Sequence, residues 1–152
     1  MSDDFQPSDP GYRERVIASF NRQGVMETAN VSIVTIAPGL VELAFPHHSR
    51  LTQQHGFIHA GIVTTVLDSA CGYAAFSLMP EDAAVLSVEF KINLLAPSNG
   101  ERFHAIGRVR KPGRTITVVE GDFYSIMNGE RKLSATMVGT MMAIYGRKGI
   151  DG

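Results

Sequence analysis

The sequence predicts an α+β domain in which a curved antiparallel sheet of about six strands wraps one long central helix, with a short helix ahead of it. Three observations carry this expectation. One segment, about Ile58 to Leu78, is apolar almost all round and is ended by Pro80. Four strand-like stretches follow it, joined by turns too short to hold a crossover helix, and a pair of such stretches precedes it. One sheet can cover one helix, but its uncovered edge or face needs other cover, and a second copy of the chain supplies it.

The elements follow in order. Asp9 before Pro10 is a helix start, and Val16, Ile17 and Phe20 share a face before Gly24 closes the segment. Between Thr28 and Phe45, two strands (Val31, Ile33, Val34, Ile36, then Leu40, Val41, Leu43, Phe45) meet at the Pro38-Gly39 turn. After the long helix, Leu86, Val88, Phe90, Ile92 and Leu94 alternate with Ser87, Glu89, Lys91 and Asn93, which predicts a strand with one wet face. A turn at Pro97 to Gly100 leads to strands at 102–111 and 114–127 around Pro112-Gly113. Asn128-Gly129 then turns into a last strand at about 131–144. The expected organisation is an N-terminal segment 1–27, a sheet-and-helix domain 28–146 and a frayed tail 147–152.

Composition narrows the function classes. Lys and Arg number 14 against 15 Asp and Glu, so the chain carries no broad electrostatic footprint for nucleic acid or an anionic membrane, and an anionic ligand must be met by a local cluster. Gly56 to Met79 is long enough to test as a membrane span, but Asp68 sits at its midpoint and most of the other residues are small. The single cysteine, Cys71, forms no internal bridge, and Met1 to Pro10 is polar and acidic rather than an export signal, so a reducing cytoplasm is expected.

The segment Gln53-Gln54-His55-Gly56-Phe57-Ile58-His59-Ala60-Gly61 runs into the helix that carries Asp68. Backbone N–H groups at a helix start have no partner within the helix, so those of Ala60 and Gly61 suit a developing oxyanion; alternatively, Gly56 and Gly61 serve only a tight turn and close packing. A carboxylate on a buried helix is costly unless it is used or bonded, and the bland alternative for Asp68 is a bond to the hydroxyl of Ser69, Thr64 or Thr65. Asp68 lies eight residues beyond Ala60, roughly 12 Å along one helix. One helix cannot bring the two together, so a site that uses both needs the carboxylate of a second, antiparallel copy.

These residues, with Gly72-Tyr73-Ala74-Ala75, Val85 to Phe90, Asn93 to Pro97 and Gly113-Arg114-Thr115, resemble the hot-dog-fold thioesterases of the PaaI-like, phenylacetate-pathway type, over nearly the whole chain from Thr28 to Ile144. The resemblance implies hydrolysis of an acyl-CoA thioester without a further cofactor, in dimers that pair again into tetramers. It implies that Gln53, six residues before the motif histidine His59, orients the water or the thioester. The oxyanion amide falls on Ala60, where the family has Gly. Asp68 matches the family's general base or nucleophile, contributed by the neighbouring subunit, and Ser87 matches a hydroxyl that positions the water.

Coenzyme A is anionic, and Arg108, Arg110, Lys111 and Arg114 crowd the turn around Gly113, so they are the candidate phosphate contacts; the alternative is an ordinary charged hairpin. His47, His48, His55 and His59 cluster, but no Cys or carboxylate completes a metal site and Gly56 breaks the spacing of the last two; His59 is expected to anchor the loop by hydrogen bonding. Cys71 lacks a histidine base and reads as packing, as do the methionines. Phe57, Tyr73, Phe76 and Leu78 are equally consistent with an aromatic or medium-chain acyl pocket and with ordinary core. The competing function is a non-catalytic acyl-CoA binding or regulatory module, which would not need Asp68.

Overall fold

The computed structural model describes residues 5–152; the first four residues of the expected N-terminal segment lie outside it. Helix α1 spans Tyr12–Phe20 and a short helix α2 spans Gly24–Thr28. Strands β1 (Ser32–Ala37) and β2 (Leu40–Pro46) precede the central helix α3 (Ala60–Phe76). Strands β3 (Ala83–Leu94), β4 (Arg102–Lys111), β5 (Ile116–Met127) and β6 (Glu130–Tyr145) follow it. All six strands form one antiparallel sheet in the order β1-β2-β4-β5-β6-β3, so β1 and β3 are its edges. This is the expected hot-dog architecture, and no described helix is long and apolar enough to cross a membrane.

The sheet lies against α3 because two strand glycines let the helix approach. A Cβ added at Gly107 would meet the Ala70 carbonyl carbon at 2.3 Å, and one at Gly121 would meet Cys71 Sγ at 2.7 Å. Only glycine admits such contact between a helix and a sheet. Around it Val63, Val66, Leu67, Ala70, Cys71, Ala74 and Phe76 are buried, and Phe45, Phe103 and Phe123 pack ring on ring from the sheet side.

Arg15 closes the other end of α3. Its guanidinium donates to the carbonyls of Met79 (2.7 Å), Pro80 (2.7 Å) and Phe76 (3.3 Å), stacks 4.2 Å over the Phe76 ring, and holds Nε 3.0 Å from Asp9 Oδ2. Carbonyls at a helix end have no partners within the helix, and a cation there also meets the negative end of the helix dipole. Burial nonetheless lowers the Arg15 pKa from its ordinary value, and the neighbouring Asp9 and Glu81 charges oppose that shift.

Several local expectations are corrected. The first helix begins at Tyr12, after an Asp9 side chain that accepts from the Gly11 N–H at 2.8 Å. Its buried stripe is Val16 and Phe20, four residues apart, while Ile17 is turned outward. Gly24 opens a second short helix rather than ending structure, with Met26 buried beneath it. The central helix starts at Ala60 rather than Ile58 and ends at Phe76, short of Leu78. The tail folds back, its Gly152 carbonyl taking a 2.9 Å hydrogen bond from Arg22.

Candidate active site

The stretch between β2 and α3 is a closed loop. A 3₁₀ turn at Ser49–Leu51 leads into a bridge between Thr52 and Ile58, and the His59 N–H donates to the Leu51 carbonyl at 2.9 Å. Gly56 has φ +85, a backbone state that side chains disfavour, and its N–H returns to the Gln53 carbonyl at 3.0 Å. The Gln53 side-chain oxygen accepts from the His55 N–H. His59 caps α3, its Nδ1 accepting from the Gly61 N–H at 2.8 Å. That bond removes Gly61 from the oxyanion donors expected at this helix start. The Ala60 N–H is left as the donor in the first turn without a partner among the described residues.

Gln53 and Ala60 line one cleft, with Phe57, Leu94, Leu95 and Pro97 among its other walls and a volume of about 460 Å³. Its polar residues are Gln53 and Ser98, which join the Ala60 amide at the positive end of a helix dipole in an otherwise apolar wall.

Asp68 lies on the same helix but in a different cavity of about 250 Å³, shared with Ser87, Ser69, Gly72, Tyr73, Ser19 and Gln23. Its carboxylate is half-buried, and Oδ1 accepts from Ser87 Oγ at 2.7 Å. The alternative bonds to nearby hydroxyls are not made. Thr64 and Thr65 donate back to the Ala60 and Gly61 carbonyls, and Ser69 donates to Gln23 Oε1.

Ser87 reaches Asp68 because of an irregularity in β3. It pairs with Met141, whereas Glu89 pairs with Thr140, so a β-bulge falls at Val88 and the side chains on either side of it change phase. Simple alternation puts Ser87 on the wet face with Glu89. The bulge instead turns Ser87 toward the helix, on the face of the buried Met141, and leaves Glu89 outside hydrogen-bonded to Thr140. Beyond the bulge, Phe90, Ile92 and Leu94 share the face of the buried Met137 and Ala135, yet Phe90 and Leu94 are 40% and 56% exposed. Together with the partly open helix stripe Gly61, Thr65, Asp68 and Gly72, they form an uncovered strip along the sheet edge, apolar on its β3 side.

The basic turn divides. Arg108 pairs with Asp122 and Arg110 with Glu120, each at 3.2 Å across β4 and β5, so acids of the facing strand offset the expected cations. Lys111 and Arg114 are exposed without an ion pair among the described residues. Gly113 and Arg114 line a cavity of about 400 Å³ at the far end of α3, beside Ala75, Leu78 and Met79. A Cβ at Gly113 would meet the Ile116 carbonyl oxygen at 2.1 Å, so this glycine is required by the turn.

Of the apolar residues set against an acyl pocket, Phe76 is core, Tyr73 presents its hydroxyl to the Asp68 cavity, and Phe57 lines the Ala60 cleft. Cys71 is buried, and burial, then the Asp68 charge, push its thiol well above the ordinary range. The described residues hold no group of three or more potential metal ligands. Ser19 and Gln23 were not legible as site residues, since no periodicity or motif marks a helix end that docks beside Asp68.

The six-stranded sheet wrapped on one central helix is the hot-dog fold of thioesterases. The chain belongs to the thioesterase superfamily, whose family model matches residues 55–131. It is similar to a thioesterase family protein from Silicibacter pomeroyi, 58% identical over 90% of this chain and 100% of that one, with TM-score 0.89. A Halobacterium salinarum protein provisionally named an esterase is 30% identical, covering 64% of this chain and 67% of its own. The PaaI protein of the Escherichia coli phenylacetic acid degradation operon shares the fold at TM-score 0.80 and 19% identity, over 89% of this chain and 94% of that one.

Proposed function

We propose that the protein hydrolyses acyl-CoA thioesters in the cytoplasm, at sites that each need two antiparallel copies of the chain. The observation that carries this reading is the separation of the two half-sites: Gln53 and Ala60 line one cleft, Asp68 and Ser87 another, roughly 12 Å apart along a single helix. The open strip of β3 and α3 is the surface a second copy would cover, and a twofold axis there sets each carboxylate opposite the other copy's helix start. The resulting homodimer can pair again into a tetramer.

In such a site the Ala60 N–H holds the thioester oxygen as it gains charge, and Gln53 orients the ester or the attacking water. Asp68, held by Ser87, acts as general base or as nucleophile. As a base it takes a proton from water while the oxygen attacks the acyl carbon; the tetrahedral intermediate then expels the thiolate, which regains that proton. The coenzyme A half of the substrate is supported by the family resemblance. The free Lys111 and Arg114 are better placed for its phosphates than Arg108 and Arg110, whose charges are offset.

The test is release of free thiol from a panel of acyl-CoA esters by the wild type and Asp68→Ala. Hydrolysis by the wild type that is lost in the variant supports the reading. Equal rates reject it, and binding without hydrolysis favours the non-catalytic module.

A further inference from the structure

The cavity beside Asp68 is walled by a chain of polar side chains that the hydrolytic step does not use. Ser69 Oγ donates to Gln23 Oε1 at 3.1 Å, Gln23 Nε2 donates to the Tyr73 hydroxyl at 2.9 Å, and that hydroxyl lies 3.3 Å from Ser19 Oγ. All four residues line the same space as Asp68 and Ser87.

Three features indicate that this wall faces a ligand rather than only itself. The first is hydrogen inventory. A carboxamide has two N–H donors, and Gln23 spends one on Tyr73; the Ser19–Tyr73 contact uses one of two hydroxyl hydrogens. Each side of the chain therefore keeps a donor unspent within the network. The second is space. Gly72 lies one turn beyond Asp68 on the same helix face, and a Cβ there would meet nothing within 4 Å. The floor leading from the carboxylate toward the polar wall is open. The third is origin. Ser19 and Gln23 come from the N-terminal segment, outside the residues 55–131 that the superfamily model matches, so this part of the wall is not prescribed by that match.

We propose that this wall selects the acyl group, and that it takes a short acyl chain whose distal end carries an oxygen substituent, hydroxyl or carbonyl, as an acceptor. The inference rests on the reading that Asp68 activates attack on a thioester. Its dimensions follow from the network and the cavity. The Tyr73 hydroxyl is joined through Gln23 to Ser69, the residue that follows Asp68, so the polar wall lies within reach of a short chain whose carbonyl sits at the carboxylate. A cavity of about 150 Å³ accepts a benzene ring, so the 250 Å³ here holds a chain of that size. An unsubstituted chain would strip water from the free donors without replacing its hydrogen bonds, and a site built that way discriminates against it.

The test compares kcat/KM for hexanoyl-CoA and 6-hydroxyhexanoyl-CoA in the full-length wild type, Gln23→Leu and Tyr73→Phe. Tyr73→Phe keeps the ring that packs on Phe20 and Phe76, so it guards against a folding failure in the other variant. The wild type is expected to favour the hydroxylated ester by about tenfold, and each variant to bring the ratio close to unity. A wild-type ratio near one, or variants that change both esters by the same factor, would show that the network only pins the N-terminal segment, and would overturn the proposal. If neither ester is hydrolysed, the acyl-CoA panel decides the catalytic reading, and the Kd values of the two matching non-hydrolysable thioethers make the same comparison for the wall. A tenfold preference in binding, lost in the variants, upholds the selecting wall; equal binding overturns it.

Discussion

Ser87 on the edge strand donates a 2.7 Å hydrogen bond to Asp68 on the central helix, joining an exposed hydroxyl to a half-buried carboxylate. The bond fixes one carboxylate oxygen and leaves Oδ2 without a partner among the described residues. If that oxygen does the chemistry, Asp68→Ala should lower kcat by about 10² to 10⁴-fold. Ser87→Ala should lower it by about tenfold with a smaller change in KM. Steady-state kinetics with circular dichroism as a folding control would check this, and a larger effect at Ser87 than at Asp68 would reverse the assigned roles.

Two glycines, Gly72 within α3 and Gly107 packed against it, should respond in opposite ways. Gly107→Ala places a methyl within 2.3 Å of Ala70 backbone, where nothing flexible can yield, and should cost about 3 kcal/mol or more, or prevent folding. Gly72→Ala meets open space and should raise stability by about 0.5–1 kcal/mol through helix propensity. The same methyl projects into the Asp68 cavity, so turnover of longer acyl chains should fall. Urea denaturation and thiol-release assays on both variants separate the two effects.

Arg15 should be a large single contributor to stability from the N-terminal segment. Arg15→Ala removes charge-assisted bonds to the carbonyls that end α3, and an expected loss of about 2–4 kcal/mol should appear in urea denaturation. Arg15→Lys should recover less than half of it, because a single ammonium cannot meet the separated carbonyls and stack on Phe76 together.

Cys71 should be silent in the native protein. Burial and the Asp68 charge raise its pKa, so the thiol stays protonated at every pH below that raised value and the reactive thiolate is withheld. At about pH 8, where an ordinary cysteine is partly ionised, Ellman's reagent should label no thiol in the folded chain and the single thiol after denaturation. Cys71→Ala should retain hydrolysis. Labelling without unfolding would contradict the packing role.

Much of this architecture was legible because its elements carry local signals. Pro80, the alternation after it and the short glycine turns revealed one helix and its enclosing sheet, and the charged Asp68 stood out on an apolar helix. What escaped reading depends on contacts distant in sequence. The bulge at Val88 has no mark in the alternation of 86–94, yet it alone turns Ser87 inward. The pairing of Arg108 with Asp122 and Arg110 with Glu120 is set by register, although the two acids after the turn were a usable hint of neutralisation. Gln23 follows a helix whose docking on α3 is a tertiary fact, so its place beside Tyr73 has no local signature.

The shared site can be tested by subunit mixing. Asp68→Ala and Gln53→Ala are each expected to be inactive, and when the two are unfolded together and refolded at equal concentration, half of the dimers are mixed. A site built from Gln53 of one chain and Asp68 of the other is intact once in every mixed dimer, so thiol release should return to about one quarter of the wild-type rate. Sites contained within single chains would all stay broken, and a mixture as inactive as its components would contradict the account.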